Sequence, residues 1–354
     1  MPAPPVLPSA GPGLVWRSIT LDDIDTWHQL VRAIEAQDEP DERMDRDDLV
    51  QELTEGSHKN PAGDSLIGFD ADGAARAFGH VELLPGTTLR RVFLWGGVHP
   101  DWRHRGIGRE VMRWQTERAH EAIAEREAAD GGNAPQLPWR IGVHHEERLV
   151  DRNALCESAG YTSIRWFHNM VRPLNDSVLP IPNLVLPDGL AIGHWTEDVD
   201  ESVRLAHNEA FANHWGSQPR DEEAWKSWTV GHRTFRRDWS RVVLDTTQPD
   251  AAGRPPVAAY LSSHAFAQDW DAKGHTEGYV DLIGVRPAWR GRGLAPALLA
   301  EAMLAYAASG IDRAALSVDT GNASGALNLY LGMGFSVDHT TVGWALESPG
   351  ASGL

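Results

Sequence analysis

One stretch of this chain occurs twice, and it limits the folds available more than any other feature. GGVHPDWRHRGIGREVM runs from Gly96 and IGVRPAWRGRGLAPALL from Ile283. Val98, Pro100, Trp102, Arg103, Arg105, Gly106 and Gly108 stand opposite Val285, Pro287, Trp289, Arg290, Arg292, Gly293 and Ala295, at a constant offset of 187. CESAGY from Cys156 then aligns with YLGMGF from Tyr330 at an offset of 174. The difference of 13 places an insertion in the first copy, around EREAADGGNAPQLPW. A shared order with one length change predicts a duplicated domain rather than a short-period solenoid. In each copy the segment before the Arg/Gly loop reads as a strand and the segment after it has apolar residues at helical spacing.

The domain plan follows. Asn175 to Gly189, NDSVLPIPNLVLPDG, carries three prolines and no helical period, so it reads as a linker. Domain one is expected over residues 14–174, the linker over 175–187 and domain two over 188–347, with SPGASGL as a loose tail. Each half opens with a strand (LVWRSI; GLAIGHW), then a helix start marked by Thr20 or Thr196. Strands follow (DSLIGFD and AFGHVELL; RVVLD and VAAYLSS), then the strand, loop and helix of the repeat, a further strand, and a last helix and strand. Strands joined by crossover helices predict an α/β fold with a mixed sheet in each domain.

The loop is suited to phosphate. Its glycines let the backbone turn tightly and bring N–H groups close to a ligand, and the following helix N-terminus favours an anion. Arg290 and Arg292 are placed for charge-assisted contacts, and Pro296 falls where a missing N–H costs little. The strand, Arg290-Gly291-Arg292-Gly293-Leu294-Ala295 and the helix together resemble the acetyl-CoA signature of the GNAT superfamily, Gln/Arg-x-x-Gly-x-Gly/Ala. Arg290, Gly293 and Ala295 satisfy it, as do Arg103, Gly106 and Gly108; Val98 and Arg105 extend the match in the first copy.

That resemblance implies two tandem GNAT-like domains, each with a centrally splayed sheet, and acetyl-CoA as cosubstrate without a metal. It implies a bulge in the strand before the loop, where backbone groups hold the pantetheine arm and polarise the thioester carbonyl. Leu282, Ile283, Gly284 and Val285 occupy this stretch, and Gly284 is the expected bulge residue. Tyr330 matches the family's proton donor to the leaving thiolate, and Asn322 matches a position that contacts pantetheine or the helix end. Asp281 falls where several members carry an acidic base, with His232 and Asp319 as lesser candidates. In the first copy Cys156 replaces the tyrosine and Arg148 the asparagine, so that copy reads as catalytically degenerate with its phosphate loop kept. AHNEAFANHWGSQPRDEEAW fits helices and a loop that cap the acceptor, making Asn208, His214 and Trp215 candidates for substrate binding.

The expected activity is N-acyl transfer to a small primary amine. Among tandem members the chain is similar to the mycothiol synthases, which acetylate a cysteinyl aminosugar; aminoglycoside-type and peptide amines stay equally open. The rival reading is an acyl-CoA-binding sensor without turnover, against which Tyr330 argues. Composition bears on partners. A formal net charge of -18 disfavours nucleic acid and favours a cationic acceptor. A single cysteine, the absence of a secretory leader pattern in MPAPPVLPSAGPG and the lack of a long apolar run point to a reducing, cytoplasmic setting with no membrane span. The adjacent histidines of HHEE fit polar surface better than a metal site, and most of the 15 tryptophans are expected in the core rather than in a cage for a cationic amine.

Overall fold

The structure is a computed structural model describing residues 7–8, 13–54, 60–131, 136–175, 179–212, 214–249, 251, 253–322 and 325–352. Residues 132–135 of the expected insertion, 176–178 of the expected linker, and parts of both ends, 1–6, 9–12 and 353–354, lie outside the described residues.

The chain forms two compact units, residues 1–165 with 341–354, and residues 166–340. The first contains β1 (Val15–Arg17), α1 (Ile24–Asp38), α2 (Arg46–Thr54), α3 (Pro61–Asp64), β2 (Ser65–Phe69), β3 (Ala75–Leu84), β4 (Arg90–Val98), α4 (Ile107–Asp130), β5 (Trp139–Glu146) and α5 (Val150–Ser158). β6 (Thr162–Pro173) begins in the first unit and continues into the second. The second adds β7 (Leu190–His194), α6 (Asp200–Ala210), α7 (Glu222–Trp225), β8 (Arg241–Asp245), β9 (Val257–His264), α8 (Ala267–Lys273), β10 (Glu277–Val285), α9 (Leu294–Ala308), β11 (Arg313–Asp319) and α10 (Ala326–Gly332). β12 (Ser336–Glu347) starts there and returns to the first unit at Thr341.

The units therefore do not divide at the proline-rich linker. From Phe167 to Pro173, β6 pairs antiparallel with β11 of the second unit, while Thr341 to Glu347 of β12 pair with β5 of the first. Each unit is completed by the strand encoded at the end of the other repeat. Within the first unit the strand order is β1-β2-β3-β4-β5-β12, and within the second it is β6-β11-β10-β9-β8-β7.

In both units the central parallel pair separates partway. β4 pairs with β5 only from Arg90↔Trp139 to Phe93↔Gly142, and β10 with β11 only from Glu277↔Arg313 to Val280↔Leu316. Leu94–Val98 and Asp281–Val285 continue unpaired on that side, giving the expected splay. The helix after each loop covers one sheet face. α9 is rich in Ala and Leu, strong helix formers, and buries Leu294, Ala297, Leu298, Leu299, Ala302, Met303 and Tyr306. Each fully buried leucine among them is worth about 1.5–3 kcal/mol of burial. Its counterpart α4 buries Ile107, Val111, Met112, Trp114 and Ile123. Trp27, Trp114, Trp195, Trp225 and Trp239 are all buried, so these rings belong to cores as expected.

Candidate active site

The Arg/Gly loop of the second unit has the backbone the sequence implied. Gly291 and Gly293 adopt φ of +72 and +75, the left-handed region that suits glycine, and Gly293 caps α9. The first α9 amide to find a carbonyl within the helix is that of Ala297, which donates to Gly293 at 3.3 Å. The N–H groups of Leu294 and Ala295, with Pro296 lacking one, leave an anion-binding end of the helix. Arginine does something the sequence reading did not separate. Arg290 spends its guanidinium on the carbonyls of Val285 at 3.2 Å and Ala210 at 2.8 Å, so it ties the loop to strand β10 and the end of α6. Arg292 donates to Ala288 across the loop. Arg286 pairs with Glu209 at 2.6 Å and Trp289 donates to Asp245 at 2.9 Å, completing the anchorage.

The first unit keeps this shape. Gly106 caps α4 at φ +82, Glu110 donates to Gly106, and His104 takes φ +60 at the position of Gly291. A histidine held in that region marks a backbone fixed by its surroundings at a cost of about 1–2 kcal/mol. Arg103 donates to Val98, as Arg290 does to Val285, but also forms a two-pronged ion pair with Asp38 at 2.6 and 3.0 Å. Arg105 lies over Trp102 and donates to Asp101. Gly108 faces Leu155 closely, where an added Cβ would lie 3.4 Å away.

The two strands ahead of the loops differ. β10 carries a register shift against β9 between Val280 and Leu282, which makes Asp281 the bulge residue. The expectation for Gly284 is thereby corrected: Gly284 stays in register opposite Tyr260, and a Cβ on it would sit 2.5 Å from the Tyr260 ring. Its glycine is required by close approach. β4 pairs with β3 from Val98 to Arg91 without a shift, so the first unit has the splay but not the bulge.

Beyond the bulge, Leu282 N–H donates to Ser262 Oγ and Arg286 N–H to Ala258, both at 3.0 Å. Strand alternation then turns the backbone groups of Ile283 and Val285 away from β9 and into the splay. Of the four residues expected to hold a cosubstrate here, Ile283 and Val285 aim their amides at the opening and Leu282 and Gly284 aim theirs at β9. Ile283 and Val285 also pack against the apolar cluster that contains Tyr330.

Tyr330 lies on α10, 6% exposed, its ring against Phe335. Burial alone pushes its phenol up to about 12, and its hydroxyl makes no hydrogen bond within the described residues. Phe335 N–H closes the helix on Tyr330 O at 3.0 Å, as Tyr161 N–H does on Cys156 O. The Cys156 thiol is buried and pushed up to about 12 by desolvation. Asn322 ends the β11 turn, its N–H donating to Asp319 O. Arg148, its counterpart, donates to the carbonyls of Asp38 and Glu39 and to Glu146, tying down the chain after α1.

Asp281 faces solvent on one side and His264 on the other, with Nε2 of His264 3.6 Å from its carboxylate. His264 is 4% exposed, and its Nδ1 lies 2.8 Å from the Thr234 hydroxyl, which lies 2.8 Å from Nδ1 of His232. Desolvation holds the His264 imidazole below its ordinary range, partly offset by Asp281. Sequence reasoning missed His264 and Thr234, since only the β9–β10 register brings them to Asp281. It also missed the buried pair in which Nδ1 of His207 meets the Tyr260 hydroxyl at 2.5 Å.

The capping candidates take different places. Asn208 exchanges two hydrogen bonds with the backbone of Arg220, at 2.8 and 3.0 Å, and so closes the loop after α6. His214 stacks edge-on to Phe211 within that loop, next to the half-buried Trp215. Among the described residues no helix is long and apolar enough to cross a membrane.

Comparison with known proteins agrees with this geometry. The model of the acetyltransferase (GNAT) family matches residues 201–335. A mycothiol acetyltransferase of Salinispora tropica is 31% identical over 75% of this chain and 76% of its own. A second, from Mycolicibacterium gilvum, is 30% identical over 80% of this chain and 84% of its own. The crystal structure of a GCN5-related N-acetyltransferase from Sphaerobacter thermophilus superposes with a TM-score of 0.70 at 23% identity, covering 97% of each chain. A tandem GNAT protein from the clavulanic acid biosynthesis pathway gives 0.66 at 18% identity over 94% of this chain and 98% of that one. Tandem splayed sheets, paired glycine loops and these relatives place the chain in the GNAT acetyltransferase family.

Proposed function

We propose that the second unit transfers an acetyl group from acetyl-CoA to the primary amine of a small, cationic molecule, and that the first unit does not turn over. The observation that carries this reading is the bulge at Asp281, which opens the Ile283 and Val285 amides beside a buried tyrosine whose hydroxyl makes no hydrogen bond among the described residues. When bound, acetyl-CoA supplies an acyl group activated as a thioester. Gly291 to Ala295 fit its pyrophosphate, because the backbone there is left-handed and the helix end is open. Ile283 and Val285 offer amides to the pantetheine arm and the thioester carbonyl, with Asn322 at the end of β11. Asp281 takes a proton from the incoming ammonium, so that the free amine can attack. Tyr330 gives its phenolic proton to the departing thiolate and is restored by the second proton, which the nitrogen sheds on becoming an amide; a phenol stays protonated at neutral pH.

The first unit keeps the loop of Val98, Arg103, Arg105, Gly106 and Gly108 but lacks the bulge and the tyrosine. We read it as a site that holds CoA without catalysing. The curated relatives are mycothiol acetyltransferases. That favours a cysteinyl aminosugar over aminoglycoside or peptide acceptors, with His214 and Trp215 on the loop nearest the acceptor.

The test is thiol release from acetyl-CoA with a panel of amines including cysteinyl-glucosamine, run beside calorimetry of CoA binding. Amine-dependent release that is lost in Tyr330→Phe supports the reading. CoA binding without release for any amine refutes it in favour of a sensor.

A further inference from the structure

Acetylation of an ammonium, R–NH3+ plus thioester giving amide plus thiol, liberates one proton per turnover. If Asp281 receives it, the carboxylate must pass it on before the next cycle. Asp281 has two faces, one toward solvent and one toward His264, and an acceptor docked on the solvent-facing side leaves the route behind it, through His264.

We infer that His264, Thr234 and His232 form a proton relay leading from Asp281 to solvent. The inference rests on the acetyltransferase reading above. Its direction follows from one bond that cannot reverse. The Thr234 backbone N–H donates to His232 Nδ1 at 3.4 Å, so that nitrogen is an acceptor and carries no proton. The Thr234 hydroxyl, 2.8 Å from the same nitrogen, therefore also donates to it. A hydroxyl has a single proton, so at its 2.8 Å contact with His264 it accepts from Nδ1–H. The neutral His264 ring then presents a bare Nε2 to the Asp281 carboxylate 3.6 Å away. That nitrogen is buried and makes no hydrogen bond of its own within the described residues.

The transfer balances atom by atom. Protonated Asp281 gives its proton to His264 Nε2. Nδ1–H of His264 passes its proton to Thr234 Oγ, and the Oγ proton moves to His232 Nδ1. His232, half-buried, releases a proton from Nε2, and rotation of the hydroxyl with tautomer exchange resets the chain. Charged and titratable groups meet the relay from several elements, with Tyr279 of β10 opposite His264 and Arg233 between His232 and Thr234 in the chain. Asp281 faces His264 from β10 and His232 faces it from the loop before β8. Tyr260 on β9 senses Asp281 and Arg220, and is bonded to His207. Phe235 and Phe266 pack against the His264 ring and add no charge.

The test uses the full chain with acetyl-CoA and cysteinyl-glucosamine, comparing wild type, Thr234→Val and Thr234→Ser. Valine keeps the shape and removes the hydroxyl, while serine keeps the hydroxyl. The expected result is a kcat about tenfold lower in the valine variant, with a larger solvent deuterium effect and an unchanged KM for acetyl-CoA, and recovery in the serine variant. A kcat in the valine variant within about twofold of wild type across the pH profile overturns the relay. Imidazole nitrogen-15 spectra of the resting enzyme give a second readout independent of turnover. A proton on His264 Nδ1 with Nε2 bare supports the relay, and a proton on Nε2 overturns it even if the acceptor itself proves wrong. Absence of wild-type turnover with every amine tested is instead a failure of the acetyltransferase reading.

Discussion

Replacing Tyr330 by phenylalanine separates catalysis from packing because of how the side chain is held. The ring is 6% exposed and lies in a cluster with Leu298, Met333 and Phe335, so phenylalanine refills the same volume. The hydroxyl gives up no hydrogen bond within the described residues. A bonded tyrosine hydroxyl would cost about 0.5–1.5 kcal/mol on removal, so Tyr330→Phe should unfold in urea within about 0.5 kcal/mol of wild type. Turnover should respond differently. With its phenol pushed up to about 12 by burial, Tyr330 stays protonated throughout an assay from pH 6 to 10, ready to donate but never titrating there. General-acid catalysis contributes about 10²–10⁴-fold, so a kcat drop of at least about 10²-fold, near 2.7 kcal/mol of barrier, is expected. Thiol release measured against pH, beside urea unfolding, reads both quantities. A kcat within about threefold of wild type refutes the acid role. A stability loss above about 1 kcal/mol refutes the claim that the hydroxyl is unpartnered. A basic limb below pH 10 belongs to another group.

Gly284→Ala drives a Cβ to 2.5 Å from a Tyr260 ring that His207 holds in place, and should cost about 1–3 kcal/mol in urea unfolding; an unchanged midpoint would show the strand can yield. His104→Gly relieves left-handed strain against the entropy glycine adds to the unfolded chain, for a net gain of about 0.5 kcal/mol, and a lowered melting temperature would contradict this. Burial holds His207 neutral down to about 3, while the unfolded chain protonates it near 6.5. Its contribution is thus fully present above pH 6.5 and is lost as pH falls toward 3, so thermal stability should decline from pH 7 to 5, less steeply in His207→Gln. Residues 188–354 made alone would lack β6, leaving the β11 edge unpaired, and should not give the cooperative melt of the full chain; an equally sharp melt would show that β6 is dispensable.

What the sequence made legible is what local chemistry dictates. The loops were readable because left-handed backbone selects glycine, and the same rule explains why His104 passes without notice: it is the one loop position where surroundings override preference. The helices α4 and α9 were readable from apolar spacing, and the match of Cys156 to Tyr330 from a shared glycine closing each helix at Gly160 and Gly334. Pairing is another matter. The bulge depends on which β9 residue faces which β10 residue, so a glycine looked like the better bulge than an aspartate, whereas Gly284 is spent on making room for Tyr260. The partners of β6 and β12 depend on contacts more than a hundred residues away in sequence, and no periodicity distinguishes a strand that closes its own repeat from one that closes the other. The same limit hid His264, whose chemistry arises only once a one-residue shift turns Asp281 toward it. Duplicated loops made the family visible from local pattern, while the features that separate the two copies chemically, a bulge present in β10 and absent from β4, reside in register.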